Sequence, residues 1–411
     1  MKTSIKLKDS IGILIVSFPL ITILMPTIRI GTIPVRFEDI FIINIVAVML
    51  FYFNIKVKDY IYTLFLLLLT LILIITSSLS IQLLLYDYIN LKTYIYGISF
   101  IKYVVFAIII LSNSRHIIKL EDIFVRIIKF LLYLQVFVIT CQKFDLFGFS
   151  NGFFYDFIVR YYAIPSIYAT STDIQQVMST HMNFAFRPAG IIGSSTITGM
   201  VLLVFSYFLY IKTSLTRFKL IGIYVIFVTF SKIAILAFII IEFIFPFFLE
   251  NRKNISSKIL FLLFFIFLGL IAYNYLGISH NLDGALNGTD RGIWHRLNVI
   301  YYVFSQDFVH IFLGNYGKTP SFPFDSGVLL TIFRHGIIFL ILEYIILYFI
   351  LLRLSGIHRI ALIFITIIFL SEMTFGSVFN PIFSGIIFCI FLMGFFLKLK
   401  EIKNEKNIIH S

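Results

Sequence analysis

Charge is scarce in this chain. Asp, Glu, Lys and Arg make up 13% of its 411 residues, about half the share of a water-soluble domain, which excludes an ordinary soluble globular fold. Tryptophan occurs once and cysteine twice. Cys141 falls at the end of an apolar run and Cys389 inside the last one, so neither a disulfide framework nor a thiolate metal spacing is present. The eight histidines show no i, i+4 pair and no cluster, which speaks against a metal centre. A Gly-rich lysine motif of the Walker type is missing as well, which excludes a self-contained ATP-driven pump.

What fills the chain instead is apolar: 60% of residues, with a mean hydropathy of +1.01. The apolar runs are continuous rather than alternating and reach about 20 residues, the length of a transmembrane helix. In lipid each backbone donor and acceptor must be satisfied within the protein, so unbroken runs of this kind specify helices and not a barrel. The expected fold is all-α, a polytopic transmembrane bundle forming one membrane domain over 1–411. About twelve spans are expected, near 11–28, 39–55, 60–77, 94–112, 123–140, 189–211, 218–230, 233–249, 259–276, 326–352, 360–376 and 382–398. Lys2, Lys6 and Lys8 precede the first run as in a signal peptide, but no small-residue cleavage site follows, so it reads as a retained helix.

Charge placement orients the bundle. With both termini cytoplasmic, 21 of the 33 Lys and Arg and 7 of the 20 Asp and Glu lie on that side, against 10 and 10 outside. The net charge of +13 is therefore an orientation signal and does not imply nucleic acid. Lys212, Arg217 and Lys219 on one flank and Arg252, Lys253 and Lys258 on the other require 218–249 to cross twice, with Ser231-Lys232 at the tip of the hairpin. Two segments, 141–188 and 277–325, become large outer loops, and long loops in a compact protein usually carry function.

Both loops hold candidate residues. The first ends in Phe186-Arg187-Pro188-Ala189-Gly190-Ile191-Ile192-Gly193. An arginine before glycines at a helix mouth suits a phosphate, because guanidinium binds it bidentately and the glycines let the helix N-terminus approach; Arg187 could equally anchor a helix end at the headgroups. The second loop carries Arg291, Trp294 and Arg296, then Leu313-Gly314-Asn315-Tyr316-Gly317, then Asp325. Arg291 and Arg296 could neutralise a pyrophosphate, and Trp294 could stack on a sugar or sit in the interfacial aromatic belt. Asp325 is placed to act as a base or as a helix N-cap. Arg334 and His335 lie two to three turns inside the next span, where an arginine is costly without a polar cavity or a partner. Glu242, Glu343, Glu372 and Lys102 are the other ionisable residues within spans, and an Arg334–glutamate pair is the alternative to a functional Arg334.

Taken in order, Arg36-Phe37-Glu38-Asp39, Arg187 with Gly190 and Gly193, Ser231-Lys232, Arg291 with Trp294, Leu313 to Gly317, and Asp325 followed by Gly336 resemble successive landmarks of the O-antigen polymerase and ligase superfamily. The hairpin tip departs from the family's usual Ser-Arg, and the arginine-to-glycine spacing of the second loop is not matched cleanly. Ligases of the superfamily resemble one another in a His-rich motif near the end of the second loop; Pro320 to Ser326 holds no histidine, so the resemblance is to the polymerases. It implies a GT-C-like glycosyltransferase of the bacterial inner membrane with periplasmic loops. Undecaprenyl-pyrophosphate-linked oligosaccharide would be both donor and acceptor, with a chain-length regulator and a flippase as protein partners and no metal or other cofactor. Arg187, Arg291, Arg296, Arg334 and Lys232 would hold pyrophosphate or sugar together with Trp294, Gly190, Gly193, Gly314 and Gly317, while Asp325 or His335 would take the acceptor proton. An O-unit flippase is the rival from another class, but it should line a central cavity with cations and keep its loops short.

Overall fold

A computed structural model describes residues 10–25, 28–30, 33–35, 100–149, 153–158, 190–192, 195–229, 231–244, 291–315, 326–375 and 385–398, with a few single positions besides. The expected spans 39–55, 60–77 and 259–276 fall almost wholly outside them. The described residues are overwhelmingly helical: α1 (Phe18–Leu24), α2 (Ile101–Ser112), α3 (Ser114–Ile118), α4 (Glu121–Lys143), α5 (Phe153–Ile158), α6 (Ser195–Thr213), α7 (Thr216–Thr229), α8 (Lys232–Ile239), α9 (Arg291–Phe304), α10 (Phe308–Leu313), α11 (Gly327–Ser355), α12 (His358–Phe375) and α13 (Gly385–Lys398). Three are long and apolar enough to cross a membrane: α4, α6 and α11. Among the described residues there is also a short antiparallel ribbon of β1 (Ile28–Ile30) and β2 (Ile33–Val35), with Arg29 opposite Pro34. Hydropathy missed it because three-residue strands rich in isoleucine and valine read as the tail of an apolar run.

Several of these helices show what solvent they were made for. On α4, Phe130, Tyr133 and Phe137 are exposed at i, i+3 and i+7, and on α11 Ile338, Ile341 and Ile345 repeat the pattern. Such stripes of large apolar side chains suit lipid and would be a liability in water. Of these three, helix α6 is the most enclosed: 72% of its apolar stretch is buried, against 44% for α4 and 39% for α11. It packs on α4, α7, α8 and α12. Aromatic rings close the rest of the core, with Phe106 against Phe388 at 4.6 Å and Phe124 stacked on Phe396 at 4.6 Å.

Ionic contacts gather helix ends at one side of the bundle. Lys212, at the end of α6, bonds Glu121 at the start of α4 and the Phe396 carbonyl near the end of α13 (2.7 Å). Lys219 of α7 meets Glu242, in the π-helical turn 240–244 that continues α8, at 2.5 Å; Tyr207 of α6 donates to the same carboxylate. The segment 216–244 is thus an antiparallel hairpin, as its flanking charges require. Its tip differs from an exposed loop. Ser231 is only 2% exposed; its hydroxyl accepts from the Ala234 amide at 3.3 Å to cap α8 and donates to the Thr196 carbonyl at 3.4 Å. The ends expected to be cytoplasmic therefore share one side, and the Ser231 tip meets the first turn of α6 at the other.

Candidate functional site

The second expected loop is not a loop throughout. Its residues 291–304 form α9 and 308–313 form α10. Val299 and Val303 of α9 are buried against Val328, Ile332 and Phe333 of α11, with Tyr302, Phe324 and Leu329 around them. The helix that carries Arg291, Trp294 and Arg296 is thereby fastened to the first half of the helix that carries Arg334 and His335.

That second helix is broken. Gly336, ten residues into the 29-residue α11, has φ 85° and ψ 167°, far from helical values. The cause is a backbone contact. Gly314, which ends α10 with φ 92°, fits against the break so closely that a Cβ on it would lie 2.5 Å from the Arg334 carbonyl oxygen and 2.7 Å from the His335 Cα. A Cβ on Gly336 would in turn overlap the Phe312 carbonyl and come within 2.7 Å of the Gly314 nitrogen. The Asn315 amide donates to the Phe333 carbonyl at 2.7 Å, taking up an acceptor that the interrupted helix leaves open. Glycine is needed at both positions because an L side chain meets both positive φ and a wall of backbone.

The break gathers part of the predicted site and reassigns some of it. Arg334 is half-buried, and His335 is 2% exposed with its ring stacked on Phe339 at 4.6 Å. Burial of this degree keeps His335 from meeting a bulky acceptor directly. Gly314 shapes the break and has no surface to offer a substrate. Asn315, passed over in favour of its glycine neighbours, is 2% exposed; its side-chain amide donates to Gln306 at 3.3 Å, while its Oδ1 accepts no hydrogen bond among the described residues. The N-cap of α11 is Ser326, whose hydroxyl accepts from the Leu329 amide at 3.3 Å, so the cap does not need Asp325. Arg187, Gly193, Gly317 and Asp325 themselves lie outside the described residues.

The first expected phosphate turn is used differently. Gly190, with φ 61°, donates its amide to Gln142 Oε1 at 2.9 Å, and Ile191 donates to Gln135 Oε1 at 3.1 Å. Both glutamines are buried on α4. A Cβ on Gly190 would sit 2.6 Å from the Gln135 oxygen. These two amides are held by the protein, which removes them as phosphate donors and makes Gly190 a clasp between the start of α6 and α4. Gln135 and Gln142 stand seven residues apart in an apolar run, hence on one face of a helix; that spacing was the available signal for the clasp.

Glutamates within the bundle are likewise placed. Glu242 is engaged by Lys219 and Tyr207. Glu372 of α12 accepts from Tyr344 and, at 3.4 Å, from Thr331. Those two donors are 13 residues apart, which in a straight helix means about 20 Å of rise and nearly opposite faces; the break at Gly336 lies between them and brings both to one carboxylate. Lys102 lies 5.5 Å from the centre of the Tyr103 ring. The chain matches no protein-family model, no curated protein and no solved structure.

Proposed function

We propose that this chain is an O-antigen polymerase, a membrane glycosyltransferase that joins undecaprenyl-pyrophosphate-linked oligosaccharide units at the periplasmic face of the inner membrane. The observation that carries the reading is the packing of α9, bearing Arg291 and Arg296, on the first half of the broken α11, bearing Arg334. Three basic positions are drawn toward one end of a membrane-length helix, where a lipid pyrophosphate would lie. In the reaction the acceptor sugar's hydroxyl oxygen bonds to the anomeric carbon of the growing chain, and the bond from that carbon to pyrophosphate breaks. Undecaprenyl pyrophosphate leaves with the electron pair, and its charge is met by Arg187, Arg291 and Arg334 without a metal. The hydroxyl proton passes to Asp325, preferred over His335 because the imidazole is buried and the capping of α11 falls to Ser326. Lys232 and Trp294 would hold the sugar chain, and Arg296 the second phosphate.

Arg291→Ala or Arg334→Ala should abolish long-chain O-antigen while leaving lipid A core with a single repeat unit, seen on a lipopolysaccharide gel; loss of one such donor commonly costs about 10²–10³ in rate. Loss of the single-unit band as well would sink the reading. A flippase for the same lipid-linked unit is the second reading. It is favoured by one feature, the interrupted membrane-length helix, which transporters use to build sites at mid-membrane.

A further inference from the structure

Immediately after α4 the chain turns back on itself. The Leu146 amide donates to the Cys141 carbonyl at 2.8 Å, and the Phe149 amide donates to the Leu146 carbonyl at 3.2 Å. Phe147 and Gly148, the two central residues of the turn 146–149, take φ of 56° and 69°. A turn with positive φ at both centres is ordinarily built from Asn, Asp and Gly. Phenylalanine is held there at a steric cost, and its ring is 73% exposed, so packing within the chain does little to offset that cost.

The turn carries a row of rings. Phe149 stacks on Phe154 of α5 at 4.6 Å and 6°, and it meets Phe137 of α4 edge-on at 6.2 Å. On α5 the side chains of Phe153, Phe154 and Phe157 share one arc and are exposed, Phe153 by 76%, while Ile158 is buried. Phe137 belongs to the exposed stripe of α4, a helix long and apolar enough to cross a membrane. The exposed rings at 144, 147, 153, 154 and 157 therefore continue the lipid-facing surface of α4, joined to it through Phe149.

That continuity and the charge pattern name the occupant. A soluble partner seated on these rings would abut a stripe that the bilayer already covers. Residues 144–158 hold two carboxylates, Asp145 and Asp156, and no lysine or arginine, so attraction to anionic headgroups is not what holds them. Insertion of the rings among acyl chains is.

We propose that 144–158, the start of the first large outer loop, is an interfacial membrane anchor whose phenylalanines, Phe147 and Phe153 among them, lie in the headgroup–acyl boundary at the outer end of α4. Gln142, in the last turn of α4, holds the Gly190 amide, so the anchor also sets the depth of the segment that leads into α6. The inference does not depend on the sugar chemistry of the outer face.

Nitroxide labels on Phe147→Cys and Phe153→Cys of the full-length chain in phosphatidylcholine vesicles test it; both native cysteines are buried, and Phe130→Cys on the α4 stripe is the reference for lipid. At both sites collisions with oxygen should exceed those with a water-soluble nickel chelate by roughly threefold or more, and adding phosphatidylglycerol should leave the ratio unchanged. A nickel chelate that collides more often than oxygen would place the rings in water and overturn the proposal. Exclusion of both probes would overturn it in favour of cover by a second copy or another protein, and insertion only with phosphatidylglycerol would overturn it in favour of headgroup attraction. The wild-type chain gives a check free of substitutions: phosphatidylcholine with a photoactivatable acyl chain should label the peptide 144–158, and label on α4 without label there would contradict the anchor.

Discussion

Replacing Gly336 by alanine separates a broken α11 from a continuous one by the sign of the effect. At φ 85° an L residue costs about 1–2 kcal/mol. The added methyl would overlap the Phe312 carbonyl and crowd the Gly314 nitrogen at 2.7 Å; moving packed backbone to admit it costs roughly a further 1–3 kcal/mol. Gly336→Ala should therefore destabilise by about 2–5 kcal/mol. In an uninterrupted helix the same change would stabilise by about 0.5–1 kcal/mol, because alanine loses less backbone entropy. Gly394→Ala is the internal control: it lies in α13 with its nearest Cβ neighbours at 3.8 Å, so it should be neutral or slightly stabilising. Thermal unfolding of the purified wild type and both variants in detergent reads the difference. A Gly336→Ala midpoint at or above wild type would refute the break, and with it the contact that ties α10 to α11.

Other contacts give predictions of their own. Gln142→Leu or Gln135→Leu should each cost about 1–3 kcal/mol, the penalty of stranding the Gly190 or Ile191 amide, while Gln142→Glu should keep most of it; thermal midpoints check this. Lys212→Met leaves Glu121 and the Phe396 carbonyl without their shared donor. It should lower the midpoint more than the Lys212→Met/Glu121→Gln double variant does, because the double variant also removes the carboxylate charge that loses its ammonium. A cysteine at Ser231 should resist membrane-impermeant maleimide until the protein is unfolded, since the hairpin tip is buried, and rapid labelling in intact cells would contradict that packing.

Helix positions were legible because hydropathy and length report them directly: 123–140 became Glu121–Lys143 and 360–376 became His358–Phe375. The crossing of 218–249 was legible from flanking lysines and arginines, and Lys219 with Glu242 now pairs its two ends. The break at Gly336 was not legible. It sits inside an apolar run of full span length, and what packs against the bend is Gly314, 22 residues earlier at the end of α10. Gly190 of the first loop was read differently for the opposite reason. Gly190 has the positive φ that a phosphate turn would need, yet its amide is drawn to Gln142 by tertiary packing that a local pattern cannot show. Glu343 was visible as a charge in a span, but its complete burial arises only when the helices are packed together.

Deleting the chain in a strain that makes long O-antigen, and resolving its lipopolysaccharide on a gel, tests polymerisation most directly. Lipid A core carrying one repeat unit and no ladder is the predicted result. Bare core would contradict it and point to flipping or ligation, and an unchanged ladder would remove the chain from this chemistry altogether.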